Sequence, residues 1–148
     1  MPLTIPERIM AARAGTNPAV ICQVPSGWVF LCDMQYLRGY TIFTADPVVA
    51  SINDLARPQR AEYLSDMALI GDALLEVTGA YRINYGILGN SDPYLHTHIV
   101  PRYMTEPVKF RKELPWSYPK KLVDSVPFDF EHEKDLMQQI AACIQKRL

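Results

Sequence analysis

The chain has 148 residues, of which 49% are hydrophobic and 21% are charged, and its formal net charge is −1. This composition is typical of one folded domain rather than a disordered chain, and the length suffices to bury roughly two-thirds of the unfolded surface. Because lysine and arginine form no cluster, the charge gives no reason to expect a duplex DNA or RNA partner.

The N-terminal segment MPLTIPERIM has a proline and a glutamate where a secretory signal has its apolar core. No apolar run approaches the length that crosses a bilayer. The three cysteines, Cys22, Cys32 and Cys143, are odd in number and lie within apolar segments, as buried free thiols do. We therefore expect a cytoplasmic protein without a membrane partner.

The first half of the chain predicts one short helix and three strands. The segment TIPE, Thr4 to Glu7, matches a capping box, so a helix is expected up to about Arg13. The segments AVICQV and WVFLCD flank the turn signal PSG and predict a β-hairpin. The segment GYTIFTA, from Gly39, predicts a third strand.

A long helix is predicted from Pro58 to about Thr78, because apolar residues recur there at helical spacing and Gly79 follows. The segments RINYGIL and YLHTHIVPR predict two more strands, joined by the turn-forming residues GNSDP. Strands, a long helix and further strands in this order indicate an α+β domain with the helix packed on one face of the sheet.

The segment after Arg102 differs in character. Its prolines stand among mixed charges and aromatic residues, which predicts an extended tail on the surface. From about Asp129 a second apolar stripe predicts a C-terminal helix that docks on the domain or on a partner. Arg102 itself is expected to be solvated at a strand end, and Trp116 is expected to pack on the body of the domain.

Two of the three histidines, His96 and His98, lie two residues apart on a predicted strand. Residues two apart in a strand face the same side, about 7 Å from each other, so both imidazoles reach one site. Asn90 and Ser91 precede them in the loop, and Asn84 lies on the neighbouring predicted strand. These donors suit an anion such as a phosphate, and a neutral histidine is a competent nucleophile toward phosphorus.

Three interpretations of the pair remain open on the residues alone. A metal site needs three or four ligands, and the third histidine, His132, is predicted on the distant C-terminal helix, so we expect no metal. A structural role, with the imidazoles bonded to neighbouring carbonyls, fits the same spacing. Catalysis or anion binding fits it equally.

In this region the sequence resembles the histidine triad (HIT) superfamily of nucleotide hydrolases and transferases. The family signature, three histidines alternating with apolar residues and sometimes followed by Pro-Arg, is similar to GNSDPYLHTHIVPR from Gly89 to Arg102. The upstream segments FLCDMQYLRGYTIF and SINDLARPQRAEYLSDMALIGDALLEV resemble two further family segments. The resemblance covers roughly residues 18–103 and implies a single HIT-like domain over residues 1–148, with residues 104–148 as a C-terminal extension.

The resemblance implies a twisted antiparallel sheet of about five strands, one long helix packed on it, and N- and C-terminal helices. It also implies a homodimer formed through the long helix and a shared sheet edge. His96 falls on the central histidine of the signature, the nucleophile that attacks the α-phosphate, and His98 falls on the last, which contacts the phosphate. Asn84, Asn90 and Ser91 would lie near the phosphate oxygens.

For the nucleoside, the resemblance implies Asp33 as the partner of the ribose hydroxyls and Leu31 and Ile42 as apolar neighbours of the base. Tyr40 and Tyr94 are also expected at the nucleotide, or as residues that fill a half-buried sheet face.

The implied activity is hydrolysis of a phosphoanhydride or phosphoramidate bond without a cofactor, in a dinucleoside polyphosphate or a nucleoside phosphoramidate. The alternative is a nucleotide-binding module of the same fold with little or no catalysis. It is motivated by Tyr94, Tyr40 and Ala50, which stand at positions where the family has histidines.

Overall fold

The computed structural model describes residues 2–148, which form five strands and five α-helices. The helices are α1 (Ile5–Arg13), α2 (Arg57–Thr78), α3 (Val108–Arg111), α4 (Lys120–Val123) and α5 (Phe130–Gln145). The strands are β1 (Val20–Val24), β2 (Gly27–Leu31), β3 (Thr41–Ala45), β4 (Arg82–Gly86) and β5 (His96–Arg102). Within this part of the chain, every helix is too short or too polar to cross a membrane.

The five strands form one antiparallel sheet in the order β1-β2-β3-β5-β4. On β3, Thr44 pairs with His96 and Ile42 pairs with His98, and on β4 Gly86 also pairs with His98. Because side chains alternate between the two sides of a sheet, these residues share one face, here called the histidine face. The opposite side is called the helix face.

The helix face is covered by α2 and α5, as the α+β prediction requires. Side chains from the sheet and from both helices are fully buried there, among them Phe43, Tyr63, Ile99 and Ile140. Each aliphatic or aromatic side chain buried in this way contributes roughly 1.5–3 kcal/mol to folding. The C-terminal helix therefore docks on its own domain, and the predicted fold, including the five strands and the long helix, is confirmed.

The long helix ends where the sequence indicates. Gly79 adopts a φ of 71°, a left-handed conformation that favours glycine, and its backbone N–H donates to the carbonyl of Leu75. The helix begins next to Pro58, which lies in its first turn.

The histidine face is partly covered by α1. This helix begins at a capping box between Thr4 and Glu7, as predicted. Its Ile5 and Ile9 are buried against Tyr40 and Ile42 in a second apolar cluster. The helix is fixed at its first turn, where the backbone N–H of Ile5 donates to Asp92 at 2.9 Å.

The tail after β5 is folded rather than extended, because it closes around Arg102. The Arg102 side chain is only 2% exposed, so the expectation that it is solvated is wrong. It donates hydrogen bonds to the Glu106 carboxylate, to the Asn84 amide oxygen and to three main-chain carbonyls. Those carbonyls belong to Phe110, Arg111 and Glu113. This network joins α3 and the residues that follow it to the end of β5. The 3-10 turn at Pro115–Ser117 lies against α3.

Candidate functional site

A cavity of about 420 Å³ lies over the two histidines. The loop at residues 88–92 forms one wall, and it bends at Gly89, whose φ of 72° favours glycine. Asn90 and Ser91 of this loop line the same cavity as His96 and His98. The structure therefore brings these four predicted site residues together.

Asp92 also lines this cavity, where a negative charge would oppose a phosphate. Its carboxylate accepts the backbone N–H of Ile5 at 2.9 Å, at the N-terminus of α1. The positive end of the helix dipole offsets part of the carboxylate charge at that position.

The hydrogen bond of His96 sets its tautomer. Its Nδ1 lies 2.7 Å from the main-chain carbonyl oxygen of Tyr94, which can only accept a hydrogen bond. We therefore assign the proton to Nδ1 of His96. The other ring nitrogen, Nε2, keeps a lone pair and is able to act as a nucleophile.

The partners of His98 assign the opposite tautomer. The indole N–H of Trp116 donates to the Tyr40 hydroxyl oxygen at 2.9 Å, and that hydroxyl lies 2.8 Å from Nδ1 of His98. Since an indole N–H only donates, the Tyr40 hydroxyl proton is available for His98. With Nδ1 accepting, Nε2 of His98 carries the proton and is a hydrogen-bond donor.

The burial of His98 and Tyr40 supports a neutral His98 ring beside a protonated Tyr40 hydroxyl. Burial, with a smaller contribution from neighbouring His96, lowers the pKa of His98 from 6.5 to about 4, so His98 is neutral at pH 7. Burial also raises the pKa of Tyr40 well above its ordinary value, so its phenol keeps its proton. The rings of His96 and His98 meet edge to face, with centroids 5.2 Å apart.

We expect an NMR pH titration of the ring protons to separate His98 from His132. The midpoint for His98 should lie near pH 4, whereas a hydrogen bond to Glu133 raises the pKa of exposed His132 above 6.5. His132 is thus the internal control. A His98 midpoint at or above that of His132 would contradict the burial of the His98 ring.

The remaining phosphate candidate, Asn84, lies on the histidine face opposite Val100. Its amide oxygen accepts from Arg102 at 2.8 Å, so this part of the side chain is already engaged. Tyr94 is half-buried in the cluster beneath α1, and its main-chain carbonyl is the group that bonds His96.

The residues predicted to contact the nucleoside are less accessible to a ligand than the residues predicted to contact the phosphate. Leu31 pairs with Thr41, faces the helix side of the sheet and has no exposed surface, so a base held over the histidines would not reach it. Ile42 is on the histidine face but is only 8% exposed beneath α1. Asp33 lies after β2, and Arg8 donates to both of its carboxylate oxygens at 3.1 and 2.7 Å.

The sequence did not predict that Trp116 lines the site. Its ring lies against His98, with centroids 5.4 Å apart, and it lines the cavity over both histidines. Gly86 provides the space, because a Cβ atom there would lie 2.6 Å from the Trp116 ring. Trp116 lies in the folded tail, far from His98 in the sequence, so no local spacing predicts this contact.

Two further features bear on the chemistry. Within residues 2–148, no group of three or more histidine, cysteine, aspartate or glutamate side chains is arranged to hold a metal ion. Ala50 lines a smaller adjoining cavity of about 140 Å³ together with His96 and Tyr94. Its methyl group cannot donate a hydrogen bond there.

No protein-family model matches the chain, and no curated protein sequence matches it. Solved structures do match. A histidine triad protein from Sinorhizobium meliloti 1021 is 23% identical, with a TM-score of 0.69, over 87% of this chain and 88% of that chain. A histidine triad protein from Marinobacter aquaeolei VT8 is 19% identical, with a TM-score of 0.73, over 95% of this chain and 94% of that chain.

A diadenosine triphosphate hydrolase from Plasmodium falciparum, solved in complex with cyclomarin A, is 13% identical, with a TM-score of 0.64. The match covers 88% of this chain and 78% of that chain. At these identities the likeness establishes the architecture. The chain has the histidine triad fold.

Proposed function

We propose that this protein hydrolyses a phosphoanhydride or phosphoramidate bond of a nucleotide through a nucleotidyl intermediate on His96. The observation that carries the proposal is that the two histidines line one cavity with different partners at Nδ1, a main-chain carbonyl for His96 and the Tyr40 hydroxyl for His98. His96 presents a lone pair on Nε2, and His98 presents an N–H donor. The structural likeness to a diadenosine triphosphate hydrolase supports a nucleotide substrate.

In the first step, the Nε2 lone pair of His96 forms a bond to the α-phosphorus. The bond from phosphorus to the leaving oxygen or nitrogen breaks, and the leaving group departs with that electron pair and takes a proton from solvent. The imidazole becomes positively charged, and its Nδ1–H donates more strongly to the Tyr94 carbonyl. The Nε2–H of His98 donates to a phosphate oxygen as negative charge develops there.

In the second step, a water oxygen forms a bond to phosphorus, and the bond between phosphorus and Nε2 of His96 breaks. The electron pair returns to the ring, the water releases a proton to solvent, and a nucleoside monophosphate leaves. Asn90 and Ser91 supply further hydrogen-bond donors to the phosphate from the loop at residues 88–92.

The second candidate is a nucleotide-binding module with little or no catalysis. It is favoured by Ala50 and Tyr94, because neither residue donates a side-chain hydrogen bond to His96 within the described part of the chain. Tyr40 favours the enzyme, since its hydroxyl bonds His98 and orients the ring.

The two candidates are separated by one pair of assays. The protein is incubated with diadenosine tetraphosphate and with adenosine 5′-phosphoramidate, and release of AMP is followed by chromatography. Calorimetry with the same compounds measures binding. AMP release supports the hydrolase, whereas binding of both compounds without AMP release supports the binding module and contradicts the hydrolase.

We also propose that the protein is a homodimer formed through α2 and the free edge of β4. The strand β4 lies at the edge of the sheet, and apolar side chains on and beside it are exposed, including Tyr81, Tyr85 and Ile87. Such an edge is a ready template for pairing with a second strand. Light scattering should give twice the chain mass of 16.8 kDa, and a mass of one chain would contradict the dimer.

A further inference from the structure

The indole ring of Trp116 is held in place although 39% of the residue is exposed. It lies in the 3-10 turn at Pro115–Ser117, which begins with the buried ring of Pro115. The carbonyl oxygen of Pro115 accepts a hydrogen bond from the Tyr36 hydroxyl at 2.7 Å. On the sheet side, the indole lies over Gly86, in space that a Cβ atom would otherwise fill. The position of the indole is thus fixed by the turn and by the sheet together.

The polar group of this indole is used inside the site. Its N–H donates to the Tyr40 hydroxyl oxygen at 2.9 Å, and that oxygen lies 2.8 Å from Nδ1 of His98. Tyr40 is only 2% exposed. Within residues 2–148, its hydroxyl has these two side-chain partners and no other. The three side chains therefore form one chain of hydrogen bonds that ends on His98.

The indole N–H determines the direction of this hydrogen-bond chain. The Tyr40 hydroxyl must give its own proton to one of two partners, and an indole N–H cannot accept it. Nδ1 of His98 is the acceptor that remains. In the reverse arrangement Nδ1 would donate to the hydroxyl, and the buried phenol proton would have no acceptor, which is costly. The proton of the neutral His98 ring is therefore kept on Nε2.

Loss of the indole N–H would remove this constraint. Trp116 borders the cavity over the histidines, so a water molecule from the cavity could take the place of the N–H. Unlike an indole, water either donates to the Tyr40 hydroxyl or accepts from it. When water accepts, the hydroxyl is able to accept from Nδ1 of His98. Nε2 then presents a lone pair to the cavity in place of a donor, and that lone pair repels a phosphate oxygen.

We infer that Trp116 is a positioning residue, which keeps the proton of His98 on Nε2 by acting through the Tyr40 hydroxyl. The inference rests on the proposed function for the use of that proton, as a donor to phosphate, but its location is tested separately. It makes the tail after β5 part of the site. The tail closes around Arg102 and thereby carries Trp116 to Tyr40.

The location of the proton is tested by NMR of isotope-labelled protein at pH 7. The nitrogen chemical shifts of an imidazole differ strongly between a nitrogen that carries a proton and one that has a lone pair. We expect the proton of His98 on Nε2 in the unaltered protein and a mixture of both tautomers in Trp116→Phe. His96 is an internal reference, because its Nδ1 partner is a main-chain carbonyl and should keep its proton in both proteins.

The matched control is Trp28→Phe, which changes the other tryptophan of the chain. The indole N–H of Trp28 also donates a hydrogen bond, to Asp46 at 2.9 Å, but Trp28 does not line the cavity over the histidines. His98 should keep its proton on Nε2 in this variant. A proton on Nδ1 of His98 in the unaltered protein, or an unchanged His98 in folded Trp116→Phe, would overturn the inference.

A second variant, Gly86→Ala, displaces the indole without changing Trp116 or Tyr40. Its added Cβ atom would lie 2.6 Å from the Trp116 ring, so the ring must move. Gly86 has no positive φ, so its backbone accepts alanine. We expect the same mixture of His98 tautomers, with circular dichroism as the check on folding. If Trp116→Phe does not fold, an unchanged His98 in Gly86→Ala overturns the inference in its place.

Turnover tests whether Trp116 acts through Tyr40. Release of AMP from diadenosine tetraphosphate is measured for Trp116→Phe, Tyr40→Phe and the double variant. We expect each single variant to lower the turnover number by roughly tenfold and the double variant to be no slower than Tyr40→Phe. A double variant slowed by the product of the two single effects would overturn the action through Tyr40. If the unaltered protein releases no AMP, the proposed function fails, while the NMR result still decides where the proton lies.

Discussion

Replacing His96 with alanine is expected to lower the turnover number for diadenosine tetraphosphate by roughly 10³-fold or more, as loss of a nucleophile does in enzymes with covalent intermediates. The physical reason is that His96 alone combines a lone pair on Nε2 with a proton fixed on Nδ1 by the Tyr94 carbonyl. His98 cannot substitute, because its Nδ1 is bonded to Tyr40 and its Nε2 carries the proton. The measurement is the rate of AMP release at saturating substrate.

The matched control is His132→Ala, which removes the third histidine of the chain. His132 lies on α5 with 75% of its side chain exposed, so its loss should leave turnover unchanged within about twofold. Replacing His98 with alanine should have an intermediate effect, roughly 10²-fold, because it removes one donor to the developing charge. Equal turnover by His96→Ala and the unaltered protein would contradict the role of His96.

Replacing Arg102 with methionine is expected to lower the free energy of unfolding by roughly 3–5 kcal/mol and the melting temperature by about 10 °C. The reason is that Glu106, whose side chain is 5% exposed, would keep a buried carboxylate without its cation. Three main-chain carbonyls of the tail would also lose their donor. Thermal unfolding followed by circular dichroism measures the change.

Two controls distinguish this network from an ordinary surface arginine. Arg13→Met breaks an ion pair with Asp46 whose arginine is 55% exposed, and it should cost less than about 1 kcal/mol. The double variant Arg102→Met with Glu106→Leu removes both charges and should recover part of the lost stability. A melting temperature for Arg102→Met equal to that of Arg13→Met would show that the buried pair does not hold the tail.

The elements with local periodicity were predictable from the sequence. The helix α2 has apolar residues at helical spacing between Pro58 and Gly79, and its bounds agree with the prediction to within one residue at each end. The stripe that includes Ile140 and Ile144 likewise predicted α5. The shape of the tail was not predictable, because it follows from hydrogen bonds between Arg102 and residues eight to eleven positions later.

The candidate site also has a part that was predictable from the sequence and a part that was not. His96, His98, Asn90 and Ser91 come together because they lie on one strand and the loop before it, so their proximity follows from sequence spacing. The bonds from Trp116 to Tyr40 and from Tyr40 to His98 join residues 76 and 58 positions apart. Only the folded chain shows that a tyrosine and a tail tryptophan orient His98.

These contacts explain what Tyr40 does at a position where the family resemblance implies a histidine. In this fold the phenol supplies a hydrogen bond to His98 from within the apolar cluster beneath α1. The phenol fixes the ring of His98, and burial lowers the pKa of His98 so that the ring is neutral at pH 7. In the proposed mechanism this neutral ring donates to a phosphate oxygen. A tyrosine at this position, where the family resemblance implies a histidine, is therefore consistent with the proposed hydrolysis.

The most direct test of the central proposal is to trap the intermediate. The protein is mixed with diadenosine tetraphosphate, quenched at alkaline pH, where a bond between phosphorus and histidine nitrogen survives, and digested for mass spectrometry. We expect a mass increase of one adenylyl group on the peptide that contains His96, absent in His96→Ala. AMP release without an adduct on His96, or with the adduct on another residue, would contradict the proposed mechanism.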